Sequence, residues 1–298
     1  MKSPFGVVVT AYKPDLGFFT RFAPAIRESA RFIVVDNTPG GHTFENVPKE
    51  SVLIVQDGKN KGLGKALNIG IESARQNGLK VLFLFDQDSS PSSAFLQQML
   101  RALETASKKG VHDVCVGPRH IDDTLSGLVA AAPGEPPSRL KPVNCLPTSG
   151  MLFRVDRLKP EELFTEDFFL DFVDFDWCWR LAKRHWQFYR AMDITMPHRL
   201  GLAERHLLGL TYHVPAPYRH YFQFRDTLRL LVLPYVPLYS KIRLGGMLPL
   251  KALVYPFLLD RGLERARWMA RGVADAFRRI GGIGAARETL DPTRQRTT

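Results

Sequence analysis

The chain has 298 residues, of which 45% are hydrophobic, and its formal net charge at pH 7 is +11. This composition excludes an intrinsically disordered protein and allows one large domain or two smaller ones. The three cysteines are far apart and form no CxxC pair, which excludes a disulfide framework and a structural zinc site and favours a reducing compartment.

The first half of the chain alternates between strand patterns and helical patterns. The strand patterns are continuous runs of β-branched and aromatic residues, which is typical of strands buried on both faces. They read "GVVVTAY", "FIVVDNT", "VLIVQD", "VLFLFDQD" and "VCVGPRHI". The clearest helix follows Gly62 and stops near Gly78, and a second runs from Ser92 to Lys109. This order predicts an α/β fold with a mainly parallel sheet and helices on both faces.

Four of these strands end in polar residues. The carboxyl ends of parallel strands meet at one edge of a sheet, where ligands of open α/β folds bind. The sequence therefore predicts a pocket formed by these strand ends: Thr10 and Tyr12, Asp36 and Asn37, Gln56 and Asp57, and Asp86 and Asp88.

Neither of the common phosphate-binding loops is present in "GKNKGLGKAL". A P-loop would need glycine at position 59, which is Lys59, and a hydroxyl at position 66, which is Ala66. The third glycine of a Rossmann loop is replaced by Leu67. A bound nucleotide would therefore be held by other means.

The stretch "FDQDSSP" places two carboxylates, Asp86 and Asp88, at the end of a buried strand. Such a pair suits Mg²⁺ or Mn²⁺, which bind few carboxylates and take further ligands from phosphate and water. The alternative is that the two aspartates cap the helix that begins near Ser92.

The second half begins after a Pro- and Gly-rich loop at 130–142. The strand "SGMLFRV", a helix containing "VDFDWCWRLAKRH" and the strand "QFYRAMDITM" follow. From Tyr218 the chain is helical and basic, with a Pro-broken middle that offers no uninterrupted membrane span. We expect a catalytic domain over residues 1–217 and a helical basic region over residues 218–298.

Taken together, these motifs resemble the family 2 glycosyltransferases, which have the Rossmann-like GT-A fold. The resemblance is strongest to the bacterial rhamnosyltransferases of surface polysaccharide synthesis, and it extends from about Val7 to about Leu231. The segments that carry it are "VVVTAYKPD", "IVVDNTPGG", "NKGLGKALNIGI", "FDQDSSP", "TSGMLFR", "FFLDFVDFDWCWRL", "MPHRLG" and "PYRHYFQFRDTLRLL". In the last segment Asp226 replaces an Asn of the family.

The resemblance implies an inverting, metal-dependent transfer from a nucleotide diphosphate sugar to a hydroxyl of a lipid-linked or glycan acceptor. The implied donor is dTDP-L-rhamnose, with UDP-galactofuranose as the alternative, and the implied process is O-antigen or capsule synthesis. Asp174 is the implied catalytic base, and Asp86, Asp88 and His198 are the implied ligands of Mg²⁺ or Mn²⁺. The implied nucleotide-sugar contacts are Thr10, Tyr12, Asp36, Asn60, Gly62, Asp86, Gln87, Arg219 and Arg225. The implied acceptor pocket contains Thr148, Ser149, Gly150 and Trp177.

Several of these residues could instead have a structural role. Asp171 or Asp174 would suit a helix N-cap, and Asp176 and Arg180 have the spacing of a helical ion pair. The remaining alternatives are an exposed loop histidine for His198, a core position for Trp177 and Trp179, a simple turn for Thr148 to Gly150, and a solvated helix face for Arg219 and Arg225.

The C-terminal region is strongly basic, with fifteen Lys and Arg residues against six Asp and Glu from Arg219 onward. The segment "RGLERARWMARGVADAFRRIGG" suits an interfacial helix, with Leu263, Trp268, Val273 and Phe277 as its apolar residues. The alternative is a helix packed on the catalytic domain or on a second subunit. With no signal peptide pattern at the N-terminus, we expect a cytoplasmic protein that is peripheral on the inner face of the membrane.

Two other functions compete with this interpretation. A nucleotidylyltransferase would carry a Gly-rich loop followed by Arg and Lys, whereas residues 6–15 read "GVVVTAYKPD". A nucleic-acid-binding protein would use the basic region, but no nucleic-acid motif is present and the charge lies away from the polar strand ends. We therefore expect no nucleic acid partner.

Overall fold

A computed structural model describes residues 3–45, 47–108, 113–122, 139–198, 203–207 and 210–286. Its main sheet has eight strands in the order β3-β2-β1-β4-β7-β5-β8-β6, and β9 and β10 form a separate antiparallel pair. The strands are β1 (Ser3–Ala11), β2 (Ser29–Asp36), β3 (Val52–Gln56), β4 (Val81–Asp86), β5 (Val114–Asp122), β6 (Leu140–Pro142), β7 (Met151–Arg154), β8 (Gln187–His198), β9 (Ala203–Leu207) and β10 (Leu210–Val214).

The strands β3, β2, β1 and β4 run parallel, as the sequence predicts. β7 is antiparallel to both β4 and β5, β8 returns parallel to β5, and β6 closes the edge antiparallel to β8. In the parallel half Thr10 pairs with Asp86, and Asp36 pairs with both Ala11 and Gln56. The predicted convergence of the polar strand ends is therefore confirmed.

Helices cover both faces of the sheet. On one face α3 packs over Val8 and Ile33, and α5 belongs to the same apolar cluster. On the other face α1, α2 and α4 belong to the cluster that contains Val7 and Val9. This alternation along β1 is the period of two that buries a central strand on both sides. The helices are α1 (Phe18–Arg21), α2 (Ala23–Glu28), α3 (Leu63–Gln76), α4 (Ser93–Ser107), α5 (Val173–Ala182), α6 (Arg219–Val232), α7 (Leu238–Leu258) and α8 (Gly262–Phe277).

The start of α4 excludes one interpretation of Asp86 and Asp88, which form a D-x-D motif. Ser92 is the N-cap of this helix, and its hydroxyl oxygen accepts a hydrogen bond from the Phe95 N–H at 3.1 Å. The interpretation of Asp86 and Asp88 as caps is wrong, because the serine already occupies that position.

The Pro-broken stretch of the C-terminal region is a single helix, α7, with Pro249 and Pro256 inside it. Proline removes one backbone donor and usually kinks or ends a helix. Here Leu248 is buried against neighbouring apolar residues of α6 and α8, so tertiary packing holds the helix together despite its prolines. The short helices α1 and α2 and the pair β9–β10 also have no counterpart in the predictions.

The helix α8 presents only part of the apolar face predicted for membrane contact. Trp268 is 7% exposed and packs edge-on against Tyr221 of α6, and Val273 packs beside Phe224. Leu263 and Phe277 remain exposed, so the interfacial role of α8 stays a prediction. In the described part of the chain, no helix has the length and apolar character needed to cross a membrane.

Candidate active site

Two adjoining cavities open at the carboxyl edge of the parallel strands. The smaller has a volume of about 250 Å³ and the larger about 570 Å³, and both are bordered by Leu63, Asp86 and Leu170. Two ligands that bind side by side would therefore meet at Asp86, the first residue of the D-x-D motif.

The smaller cavity contains most of the residues predicted to bind the nucleotide sugar. Its predicted members are Thr10, Tyr12, Asn60, Gly62, Asp86 and Gln87, and its further lining residues are Ala11, Asn37, Leu63, Phe169, Leu170 and Tyr218.

Gln87 joins two walls of the smaller cavity. Its side-chain oxygen accepts a hydrogen bond from the Tyr12 N–H at 2.6 Å, and its amide nitrogen donates to the Tyr12 carbonyl at 3.1 Å. This reciprocal pair holds the ends of β1 and β4 at a fixed separation. The middle residue of the D-x-D motif thus shapes the cavity and Asp86 lines it.

Asn37 and Asn60 hold the loop that precedes α3. The Asn37 amide nitrogen donates to the Gly62 carbonyl at 3.0 Å, and its oxygen accepts from the Lys61 N–H at 3.1 Å. The Asn60 side-chain oxygen accepts from the Gly62 N–H at 3.0 Å. Gly62 has φ +81°, and a Cβ atom there would lie 2.6 Å from the Phe169 ring, so both conformation and space require glycine.

Asp36, predicted to contact the nucleobase, is only 2% exposed and does not line the cavity. Its carboxylate accepts hydrogen bonds from the Thr38 N–H at 2.9 Å and the His42 N–H at 2.7 Å. Asp36 therefore folds the loop after β2, and its neighbour Asn37 reaches the cavity.

The larger cavity contains the predicted base, Asp174, together with Thr148 and Arg219. α5 supplies Asp174 from its first turn, and α6 supplies Arg219. Its remaining polar lining comes from residues that were not predicted to belong to the site, namely Asp171, Gln223, Thr227, Tyr239, Ser240, Arg243 and Lys251.

Asp174 is half-buried, and its pKa is raised to about 7. Burial is the main cause, because it removes water from the charged form. A hydrogen bond from the Phe175 N–H at 2.9 Å opposes the rise, and the neighbouring carboxylates of Asp86 and Asp171 add to it. A carboxyl group with this pKa can accept a proton near neutral pH.

Asp171 binds Arg219 inside the larger cavity. The guanidinium Nη2 lies 2.5 Å from the Asp171 Oδ1 atom. The N-cap of α5 is Phe172, whose side chain makes no capping hydrogen bond. Asp171 is therefore not the predicted cap but the ion-pair partner that fixes Arg219 on the cavity wall.

The segment Thr148 to Gly150 lies at the wall of the larger cavity. Thr148 lines it, whereas Ser149 is 1% exposed and its hydroxyl lies 2.5 Å from the Ser89 hydroxyl. Gly150 has φ +82°, and a Cβ atom there would lie within 3 Å of Pro118. Ser149 and Gly150 thus join the residues after β4 to β7.

Two further predicted site residues, Trp177 and Arg225, lie outside both cavities. Trp177 is fully buried in the core, where its indole N–H donates to the Glu162 carbonyl at 2.8 Å. Arg225 is also fully buried and forms two hydrogen bonds to Asp226, at 2.6 and 3.1 Å. The structure does not bring either side chain to the site, because the core and a buried ion pair occupy them.

The residues at the end of β4 fit a divalent cation that shares a diphosphate. Asp86 is half-buried between the two cavities and Asp88 is exposed beside it. Within the described residues no cluster of three His, Cys, Asp or Glu side chains could hold a metal. Mg²⁺ needs only one or two carboxylates when phosphate and water complete its shell, so the pair suits a cation that arrives with its nucleotide. His198 ends β8, and its role as a ligand stays a prediction.

The unpredicted cavity residues come from two sources. Gln223 and Thr227 lie in the motif "PYRHYFQFRDTLRLL", so their helix was identified although its cavity face was not. Tyr239, Arg243 and Lys251 come from α7, whose sequence carries no motif. The docking of α7 beside the sheet cannot be inferred from local patterns.

Known proteins resemble this chain in sequence and in structure. Residues 26–127 match the family described as Glycosyl transferase family 2. Over 259 residues the chain is 25% identical to the dTDP-rhamnosyl transferase RfbF of Shigella flexneri. The aligned region covers 82% of this chain and 85% of that protein. The crystal structure of S. aureus TarS residues 1–349 aligns with a TM-score of 0.47 and 15% identity, over 93% of this chain and 81% of that chain.

The family match covers β2 to β5 and includes the D-x-D aspartates. It agrees with the order of the motifs, with the mainly parallel sheet and with the cavities at the sheet edge. The match assigns residues 26–127 to glycosyl transferase family 2, within an α/β fold whose sheet is mainly parallel.

Proposed function

We propose that the enzyme transfers L-rhamnose from dTDP-L-rhamnose, with inversion, to a hydroxyl of a lipid-linked or glycan acceptor in bacterial polysaccharide synthesis. One observation carries this proposal: Asp174, with a pKa of about 7, lies in the larger cavity, which adjoins the smaller cavity at Asp86. The similarity to RfbF supports rhamnose as the transferred sugar.

The two cavities suit the two substrates. The nucleoside would lie in the smaller cavity, beside Tyr12 and the Asn60–Gly62 loop, so that its diphosphate reaches Asp86. The acceptor hydroxyl would lie in the larger cavity beside Asp174. Holding both substrates in line in this way lowers the barrier by several kcal/mol.

The proposed step is a single displacement. The acceptor oxygen attacks C1 of the sugar from the side opposite the diphosphate, and Asp174 takes the hydroxyl proton. The new glycosidic C–O bond forms as the bond from C1 to the diphosphate oxygen breaks, and the electron pair leaves with the nucleoside diphosphate. One displacement inverts the configuration at C1, and no enzyme nucleophile is required.

Asp86 and Asp88 would hold Mg²⁺ or Mn²⁺. When bound, the cation supplies Lewis-acid neutralisation of the charge on the departing diphosphate. The chain itself would hold the donor through the backbone and side chains around Gln87. Arg219, fixed by Asp171, would add positive charge to the wall of the larger cavity.

Thermal shift with dTDP, UDP and GDP, each with and without Mn²⁺, tests the nucleotide and the metal. We expect dTDP with Mn²⁺ to raise the Tm most, since a ligand at a hundred times its Kd adds about 2.7 kcal/mol of stability. Asp86→Asn with Asp88→Asn should abolish the part of the shift that depends on Mn²⁺.

Transfer assays with dTDP-L-rhamnose and UDP-galactofuranose then identify the donor. If the enzyme turns over only UDP-galactofuranose, galactofuranose replaces rhamnose as the proposed sugar and the rest of the proposal stands. A dTDP-dependent rise in Tm that is the same with and without Mn²⁺, and the same in the aspartate variant, would contradict the metal site.

A further inference from the structure

The outer side of α7 carries an unusual row of exposed apolar side chains. Its members are separated by three, eight, three and four residues, which are close to whole turns, so they lie on one side of a helix with 3.6 residues per turn. They are between 55% and 83% exposed. We call them the outer row: Tyr239, Ile242, Leu250, Leu253 and Phe257. Soluble proteins rarely expose a continuous apolar surface of this kind without a partner.

The opposite side of the same helix forms a wall of the larger cavity. Leu244, Leu248 and Lys251 line that cavity, and Leu248 is buried. Tyr239 and Arg243 line its edge and are also exposed to solvent. Whatever covers the outer row therefore lies directly beside the mouth of the cavity that contains Asp174.

The charge of α7 favours an anionic partner. The helix carries Lys241, Arg243 and Lys251 and has no acidic residue. With 21 residues it is about 30 Å long at 1.5 Å per residue, but it is not apolar enough to cross a membrane. An exposed apolar row on a basic helix without acidic residues is the pattern of a helix that lies in the membrane interface.

A second copy of the chain suits this face less well. A symmetric pair would place the same patch of both subunits in contact. The basic residues of α7 would then approach those of the partner with no acidic residue on either helix to offset them.

We propose that the outer row of α7 inserts into the headgroup region of an anionic phospholipid bilayer, so that the larger cavity opens at the membrane surface. The inference rests on the proposed function in one respect, because a lipid-linked acceptor would then present its sugar to Asp174 from the membrane. It assigns membrane contact to α7 instead of α8, the helix that the sequence suggested.

Co-sedimentation of the full chain with vesicles tests the surface directly. Vesicles of phosphatidylcholine with phosphatidylglycerol should bind the wild type, and phosphatidylcholine alone should bind it more weakly. The triple variant Leu250→Ser, Leu253→Ser and Phe257→Ser should lose at least about tenfold in binding, because three apolar side chains no longer enter the interface. None of the three residues lines either cavity.

The control is a pair of equally exposed apolar residues on α8. Leu263 is 77% exposed and Phe277 is 80% exposed, so Leu263→Ser with Phe277→Ser removes two exposed side chains of the same types elsewhere. This variant should bind vesicles like the wild type. Equal loss in both variants, or no loss in the α7 variant, would overturn the proposal.

Fluorescence gives a second readout that does not depend on sedimentation. The four native tryptophans are at most 7% exposed, so an added surface tryptophan can be followed separately. Phe257→Trp should show a blue shift when anionic vesicles are added, whereas Leu263→Trp should not. The reverse result would assign the contact to α8 and overturn the proposal.

Two measurements separate membrane contact from dimer formation and from a failure of the proposed transfer. If the wild type is a dimer without vesicles, and the α7 variant is a monomer with unchanged vesicle binding, a second copy covers the outer row and the proposal fails. The α7 variant should also keep its Tm and its turnover of a lipid-free acceptor. Absent transfer by a wild type that still binds vesicles would instead contradict the proposed function alone.

Discussion

Opposing effects act on the pKa of Asp174. Its place in the first turn of α5 and the Phe175 N–H both favour the charged carboxylate. Burial favours the neutral acid more strongly and raises the pKa to about 7. In the proposed role, Asp174 would therefore be a base that is available near neutral pH and is stronger than an ordinary exposed aspartate.

Replacing Asp174 with Asn should remove the base and leave the fold and donor binding in place. We expect kcat to fall by about 10² to 10⁴, the usual contribution of a general base. The dTDP-dependent shift in Tm should stay unchanged, since Asp174 does not line the smaller cavity.

Asp176→Asn on the same helix is the matched control. Asp176 is fully buried, and it contacts Tyr235 and Arg180 instead of a cavity. This change should lower the Tm while the folded enzyme keeps its kcat. Equal kcat values for the Asp174 variant and the wild type would exclude Asp174 as the base.

The rate should depend on pH through the same carboxyl group. Asp174 acts as a base only when deprotonated, so kcat/KM should fall about tenfold per pH unit below its pKa of about 7 and level off above it. The residual rate of Asp174→Asn should not follow this curve. A wild-type profile that is flat down to about pH 5 would show that another group takes the proton.

At the scale of elements, the loop before α3 is fixed by one close contact. Gly62→Ala would combine a positive φ with a Cβ atom 2.6 Å from the Phe169 ring and 2.8 Å from the Phe169 carbonyl oxygen. We expect a loss of about 2 to 4 kcal/mol in the free energy of unfolding and weaker dTDP binding, because Phe169 must move into the smaller cavity.

Gly78→Ala separates backbone strain from crowding in this comparison. Gly78 also has a positive φ of +70°, but no atom lies within 4 Å of the position that a Cβ atom would take there. It should cost only about 1 kcal/mol and leave dTDP binding unchanged. Urea unfolding and nucleotide titration measure both effects, and equal losses in the two variants would show that Phe169 does not constrain the loop.

The elements of the parallel half could be predicted from sequence, because buried strands and amphipathic helices follow local patterns. The ends of β1 and β4 converge for the topological reason that the sequence suggests, which places Thr10 beside Asp86. The position of α7 was not predictable. Its two prolines argue against a helix locally, and only its packing against α6 and α8 makes Lys251 a cavity residue.

Individual side chains show the same limit. Asp36 and Arg225 lie in motifs, yet both point away from the cavities. In a helix, adjacent residues do not face each other, so the local sequence does not predict that Arg225 pairs with Asp226 through two hydrogen bonds. Tertiary burial makes the pair necessary, because neither charge could remain there alone.

For the whole molecule, Arg225 of α6 connects the segment before α5 to the segment after α8. Besides Asp226, its guanidinium donates to the carbonyls of Gly282, at 2.6 Å, and Asp167, at 3.3 Å. Asp167 precedes α5 and Gly282 follows α8, so one buried cation holds both segments against α6.

Arg225→Met should therefore leave Asp226 buried without its partner. We expect a loss of about 3 to 5 kcal/mol in the free energy of unfolding. Arg229→Met is the control, because its partner Asp167 is 61% exposed and the pair should contribute less than about 1 kcal/mol. Denaturant unfolding measures both, and a smaller effect for Arg225 than for Arg229 would contradict the role of the buried pair.

The arrangement of the two cavities is the central claim, and a crystal structure with dTDP-L-rhamnose and Mn²⁺ tests it most directly. We predict the nucleoside beside Tyr12 and Gly62, the diphosphate at Asp86 and Asp88, and the sugar C1 facing Asp174 across the cavity junction. A donor bound elsewhere, or one whose C1 faces away from Asp174, would contradict the account.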